Sequence, residues 1–200
     1  AFELSLDCAI WADVIIGDYN YLFDPFVKLQ RFSDASKHLL LIDEAHQLSG
    51  RVTAMLSAEL ALDTKAVLLD SPNDDFSAAA NGVFDAARAI ASGAGETLSR
   101  VIERPLPLEA AAERLIHCVE ALQLFETLDA QGLDLYFACA RWVRSLDWFQ
   151  PSQYQHLSIE HPQGLTIQRL CLDSGDYISD VLKSHAASTR LSATVSPLAL

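Results

Sequence analysis

His38-Leu39-Leu40-Leu41-Ile42-Asp43-Glu44-Ala45-His46-Gln47-Leu48 is the stretch around which the rest of the chain is organised. Four apolar residues, Leu39 to Ile42, stop abruptly at two acids. A short unbroken apolar run suits a strand buried on both faces, as in a parallel sheet. In open α/β sheets, ligands bind beyond the carboxyl ends of the strands, which is where Asp43 and Glu44 fall. An acid there can hold a magnesium ion that bridges nucleotide phosphates. A second acid beside it can orient or deprotonate an attacking water. Without Ala45 and His46, the same run fits equally well a strand that stops at a solvated acidic turn.

Working outward, the amino-terminal side reads as a helix over residues 3–13, with Leu4, Cys8 and Trp11 on one side. Val14-Ile15-Ile16 follows as a short buried strand ended by Gly17. Asp18 is placed to cap a helix start whose aromatics, Tyr21 and Phe23, pack on the sheet, while Tyr19 and Asn20 are candidates to face bound DNA. Phe26 to Phe32 continues as a helix, and residues 33–37 form a polar turn.

Beyond Gly50 strand-like runs disappear for about a hundred residues. Helical periodicity runs over Arg51–Leu62 (Val52, Met55, Leu56 and Leu60), over the Ala-rich 76–104 with a break at 92–95, and over Leu108–Leu128 (Leu115, Val119, Leu122, Phe125 and Leu128). It runs again over Leu135–Phe149 (Trp142, Leu146 and Phe149). Asp70 to Asp75, Pro105 with Pro107, and Gln131-Gly132 punctuate it. These stripes are read as core, as in a helical bundle. A hairpin is expected from 155–160 and 165–172 across the His161-Pro162-Gln163-Gly164 turn, with His156 and His161 exposed on it. A short helix over 177–187 then leads to a strand ending in Ser192-Ala193-Thr194. Small hydroxyl residues at such a strand end can hydrogen-bond the acids and His46 without filling the nucleotide space.

Half of the 200 residues are hydrophobic, enough for a packed core, and the net charge is −13. That charge argues against a generally basic nucleic-acid surface, though not against a local groove. Residues 51–187 carry 10 Lys and Arg against 19 Asp and Glu. Within them, Arg100 with Arg104, and Arg141 with Arg144, are expected to share helix faces. Cys8, Cys118, Cys139 and Cys171 are too dispersed for a zinc or cluster framework and read as reduced thiols, pointing to the cytoplasm. No run is long enough to span a membrane, and the acidic start lacks a signal-peptide n-region. The absence of an initial Met suggests that the chain opens inside a longer protein.

Asp43-Glu44-Ala45-His46 resembles the Walker B box, motif II, of superfamily 2 helicases, and Ser192-Ala193-Thr194 resembles their motif III. The extension Val195-Ser196-Pro197, the block from Phe2 to Pro25, and the separation of about 145 residues between the two motifs narrow the resemblance. The group is the XPD/DinG-like iron–sulfur helicases, which carry a helical Arch domain inserted at this point. The implied fold class is α/β: the edge of a RecA-like parallel-sheet motor domain with a large, mainly α-helical Arch-type insertion. Residues 1–50 and 188–200 would belong to the motor and 51–187 to the insertion.

The function implied is that of an ATP-dependent 5′–3′ DNA helicase acting on single-stranded or forked DNA, in repair or replication. Asp43 would organise Mg2+, Glu44 would be the catalytic base, and His46 would couple to motif III through Ser192 and Thr194. Tyr19, Asn20, Arg100, Arg104, Arg141 and Arg144 are the DNA-contact candidates. A 4Fe-4S cluster is implied for the parent protein, its ligands lying upstream of Ala1. The sequence contains no Gly-x-x-x-x-Gly-Lys-Ser/Thr phosphate loop, so the chain alone is expected to be inactive. The alternative is a non-catalytic helical module, derived from a helicase, that binds protein partners through the Arch region.

Overall fold

The computed structural model describes residues 7–27, 37–62, 73–91, 98–162 and 164–193. The chain divides into two compact units, residues 1–56 with 173–200, and residues 57–172. The fold is mixed α/β, with a two-stranded parallel sheet in the first unit and a four-stranded antiparallel sheet in the second.

In the first unit, α1 (Asn20–Phe23), β1 (Leu39–Ile42), a 3₁₀ turn (Ala45–Gln47) and α2 (Leu48–Leu56) precede the long excursion, and α6 (Gly175–Lys183) and β6 (Ala187–Arg190) follow it. β1 and β6 pair in parallel, Leu39 opposite Ala187 through Ile42 opposite Arg190. Phe23, Ile42, Leu48, Val52, Leu56 and Val181 are buried here. The Tyr177 hydroxyl donates to the Phe23 carbonyl at 3.0 Å. Buried Ser174 joins α2 to the start of α6, accepting from Thr53 Oγ1 at 3.0 Å and donating to the Ser49 carbonyl at 3.3 Å. The expected burial of the apolar runs is corrected. Leu39 and Leu41 are 76% and 71% exposed, and Val14, Ile15 and Ile16 form no strand and are also exposed. Among the described residues no second layer covers those side chains. Of the helix expected over 3–13, residues 7–9 are helical and Trp11 is exposed. Residues 28–36, and with them the end of the expected helix over 26–32 and most of the following turn, lie outside the described residues.

The second unit runs β2 (Ala58–Leu62), α3 (Asp74–Ile90), β3 (Leu98–Ile102), α4 (Leu106–Ala121), α5 (Ala130–Arg144), β4 (Tyr154–His161) and β5 (Gly164–Cys171). Its sheet order is β2-β5-β4-β3, antiparallel throughout. One face is covered by the three helices. Leu60, Leu62, Leu165 and Ile167 share a core with Phe76, Val83, Leu108, Leu115, Val119, Cys139 and Trp142. The hairpin appears as expected. The expected helices over 51–62 and 76–104 are corrected: α2 stops at Leu56 before β2, and α3 stops at Ile90, with β3 following. Residues 63–72 and 92–97, including the expected breaks at 70–72 and 92–95, lie outside the described residues. Gln131-Gly132 does not interrupt a helix but starts one, because Asp129 Oδ1 accepts from the Gly132 amide at 2.7 Å as its cap.

A charged cluster sits inside this second core. Arg169 on β5 is fully buried. It donates to Glu109 Oε1 at 2.6 Å and to the Trp142 carbonyl at 2.9 Å, and its guanidinium lies 4.2 Å from the centre of the Trp142 ring. Glu109 is also held by Arg104, at 2.8 Å. Removing one partner from a buried pair typically costs about 3–5 kcal/mol, because the other charge is left uncompensated. His156, expected to be exposed, is buried here and accepts from Arg169 Nε at 3.3 Å.

Candidate nucleotide site at the paired strand ends

The acids follow β1 directly. Ile42 is the last strand residue and is 4% exposed, whereas Asp43 and Glu44 are exposed. The turn is sharp. Glu44 has φ 46°, in the left-handed region, where a residue with a Cβ is strained by roughly 1–2 kcal/mol. Gln123 is the other such residue among the described ones. Asp43 Oδ1 accepts from the Glu44 amide at 2.9 Å, bracing the turn with its own side chain.

The pairing of β1 with β6 continues into this turn. The Leu191 amide donates to the Ile42 carbonyl at 2.8 Å, and the Ala45 amide donates to the Leu191 carbonyl at 2.8 Å. These two bonds bring residue 192 alongside residue 46. His46 Nδ1 lies 2.9 Å from Ser192 Oγ and 3.2 Å from Glu44 Oε2. His46 Nδ1 is thus within hydrogen-bond reach of Ser192 Oγ with Glu44 Oε2 beside it, and the imidazole tautomer decides which partner donates. The structure thus brings Asp43, Glu44, His46 and Ser192 together. Thr194 lies outside the described residues, as do Val195 to Pro197.

Tyr19 is placed at this same turn. Its hydroxyl donates to the Asp43 carbonyl, and the Arg51 guanidinium lies 5.2 Å from the centre of its ring. Arg51 also pairs with Asp18 at 3.6 Å. Burial raises the Tyr19 pKa; the carboxylates of Asp43, Glu44 and Asp18 push the same way, and Arg51 opposes them. The hydroxyl is therefore a proton donor at neutral pH. Asn20 is exposed, and its amide donates to Asp18 Oδ1 at 3.0 Å. Arg51 escaped the sequence reading because nothing in a helical stripe marks a basic residue on its polar side as belonging to a site more than thirty residues upstream.

The four candidate arginines lie in the second unit. Arg100 is on β3 and donates to the Ile90 carbonyl. Arg104 follows β3 and is committed to Glu109. The expected helix face shared by these two is therefore corrected. Arg141 and Arg144 do lie together, exposed in the last turn of α5.

Two adjacent carboxylates at a strand end fit a hard cation that takes its remaining ligands from water and phosphate. Among the described residues no group of three or more His, Cys, Asp or Glu could hold a metal by itself. The cysteines do not fit a 4Fe-4S cluster. All four are free, Cys8 exposed on the first unit and the others dispersed over the second, with burial pushing the Cys139 thiol up to about 12. No helix among the described residues is long and apolar enough to cross a membrane. No known protein-family model matches this sequence, and no curated protein matches it either.

Proposed function

We propose that the chain is part of an ATP-dependent DNA helicase of the XPD/DinG-like kind, and that the β1–β6 strand ends form one side of its nucleotide site. The observation that carries this reading is the hydrogen bond between His46 and Ser192, 2.9 Å across two strands whose sequences lie far apart. Parallel pairing brings Asp43–His46 alongside Ser192 at the carboxyl ends, where open α/β sheets bind ligands.

In this reading Asp43 holds Mg2+, which neutralises phosphate charge when bound with ATP. Glu44, beside it, takes the proton of the attacking water. His46 lies between Glu44 and Ser192, so a change at the acids would reach the residues just beyond β6. The 5′–3′ direction, the single-stranded or forked DNA substrate, a place in repair or replication, and a 4Fe-4S cluster borne elsewhere in the polypeptide rest on the sequence resemblance. So do DNA contacts by Tyr19, Asn20, Arg100, Arg104, Arg141 and Arg144.

The test is ATP hydrolysis by the longer polypeptide that this reading requires, with and without single-stranded DNA. DNA-stimulated turnover that falls at least a hundredfold in Glu44→Gln is the expected result, in the range reached by general-base catalysis. Turnover that survives Glu44→Gln would remove the assignment.

A second reading, a non-catalytic module that binds protein partners, is favoured by a different observation. Leu122, Phe125 and Phe137 are 47%, 42% and 60% exposed beyond and along the α4–α5 pair, and Phe125 and Phe137 both pack edge-on against Tyr136. The Glu44→Gln measurement separates the two, since a module has no turnover to lose.

A further inference from the structure

We propose that Tyr19 is a positioning residue for the acid pair, its hydroxyl holding the Asp43 carbonyl and its ring held in turn by Arg51. This deepens the nucleotide-site reading and rests on it.

Three observations meet at this side chain. The hydroxyl donates to the backbone of the residue assigned to Mg2+. That residue precedes Glu44, whose left-handed backbone must be kept in place by its surroundings. The Asp43 side chain braces the Glu44 amide but leaves the Asp43 carbonyl to be fixed from outside, and Tyr19 supplies that contact. Arg51 on α2 lies over the Tyr19 ring and pairs with Asp18, so the tyrosine is held at its hydroxyl by the turn and at its ring by α2.

The sequence reading set Tyr19 toward DNA. Its hydroxyl is engaged at the turn, and its neighbour Asn20 is exposed. A peptide plane tethered at its carbonyl cannot rotate freely, so the tether restrains ψ of Asp43 and φ of Glu44, and with them the directions in which the two side chains leave the backbone.

Tyr19→Phe keeps the ring beneath Arg51 and removes only the donor. In the longer polypeptide, binding of a fluorescent non-hydrolysable ATP analogue is titrated with Mg2+. One lost hydrogen bond of ordinary strength corresponds to about a five-fold effect. The half-saturating Mg2+ concentration is therefore expected to rise about five-fold in Tyr19→Phe, with the melting temperature lowered by no more than about 4 °C and Tyr21→Phe behaving as wild type. In the 200-residue chain, amide exchange at Glu44 and Ala45 speeds up by a similar factor. Irreversible loss of folded protein would lower the bound fraction without moving the Mg2+ midpoint, and the melting curve shows that the folded state is fully populated at the assay temperature. An unchanged midpoint in Tyr19→Phe overturns the proposal. If Glu44→Gln is inactive while that midpoint stays put, Tyr19 alone is wrongly assigned. If Glu44→Gln still hydrolyses ATP, the site reading and the Tyr19 assignment fall together.

Discussion

His156 is a histidine that the fold keeps neutral. It sits in the second unit among Arg169, Glu109, Arg104, Trp142 and Phe149. Burial lowers its pKa to about 4, with Arg169 and Arg104 pushing the same way and Glu109 opposing them. In the unfolded chain the ring titrates near its ordinary value, about 6.5. Between those two values the unfolded state binds a proton that the folded state refuses, so stability falls as pH falls. The contribution is fully present above 6.5 and is diminished by about 3 kcal/mol once the pH reaches 4. Urea midpoints at pH 7 and pH 5 measure it. Wild type is expected to lose about 2 kcal/mol more over that interval than His156→Gln, and an equal loss in both proteins would refute the assignment. This residue also marks a limit of sequence reading. Tyr154, His156, Ser158 and Glu160 alternate with Leu157 and Ile159, and ordinary polarity turns the leucine and isoleucine inward. The structure buries the polar set, because a buried arginine supplies His156 with a partner that lies on another strand. The grouping of residues at the β1 and β6 ends was more legible. Asp43, Glu44, His46 and Ser192 stand in short local patterns, whereas the roles of Tyr19 and Arg51 depend on a contact that no spacing reveals.

At the scale of elements, a helix or strand could be read when one period fitted the sequence and misread when two did. The β4–β5 hairpin carries alternation on both sides of a Pro-and-Gly turn and was legible. Val52, Leu56 and Leu60 recur every four residues and are all buried, but Leu60 belongs to β2. There Ala58, Leu60 and Leu62 also alternate, and the strand prevails because β5 offers it a full antiparallel register. In β3 only the adjacent Val101 and Ile102 signalled a strand, at the end of an alanine-rich stretch. The start of α3, by contrast, follows directly from its residues. Asn73 Oδ1 accepts from the Phe76 amide at 2.9 Å, and Asp74 and Asp75 occupy the first turn, where negative charge suits the helix dipole. Asn73→Ala is expected to destabilise the second unit by about 1 kcal/mol, lowering its melting temperature by about 4 °C. Asn73→Asp, which keeps the acceptor, is expected to melt with wild type. Equal losses in both variants would show that the cap contributes nothing.

For the whole molecule, the two units differ in how far their apolar surface is enclosed. The second is one continuous segment with its own core. Its ends meet, since the Cys171 amide donates to Ser57 Oγ at 3.0 Å. A segment that leaves and re-enters at neighbouring points and encloses its own core meets the description of a domain. The first unit is built from two separated segments around a parallel strand pair, and parallel sheets are stable where both faces are covered. Its Leu39 and Leu41 are exposed on one such strand. Residues 57–172 expressed alone are therefore expected to unfold in a single cooperative transition, with a urea midpoint close to that of the same unit in the full chain. In the 200-residue chain, hydrogen exchange at β1 and β6 is expected to run faster than at β4 and β5, because fewer enclosed side chains oppose local opening. Slow exchange at β1, or a non-cooperative transition in the excised segment, would show that the core of the second unit does not support it alone.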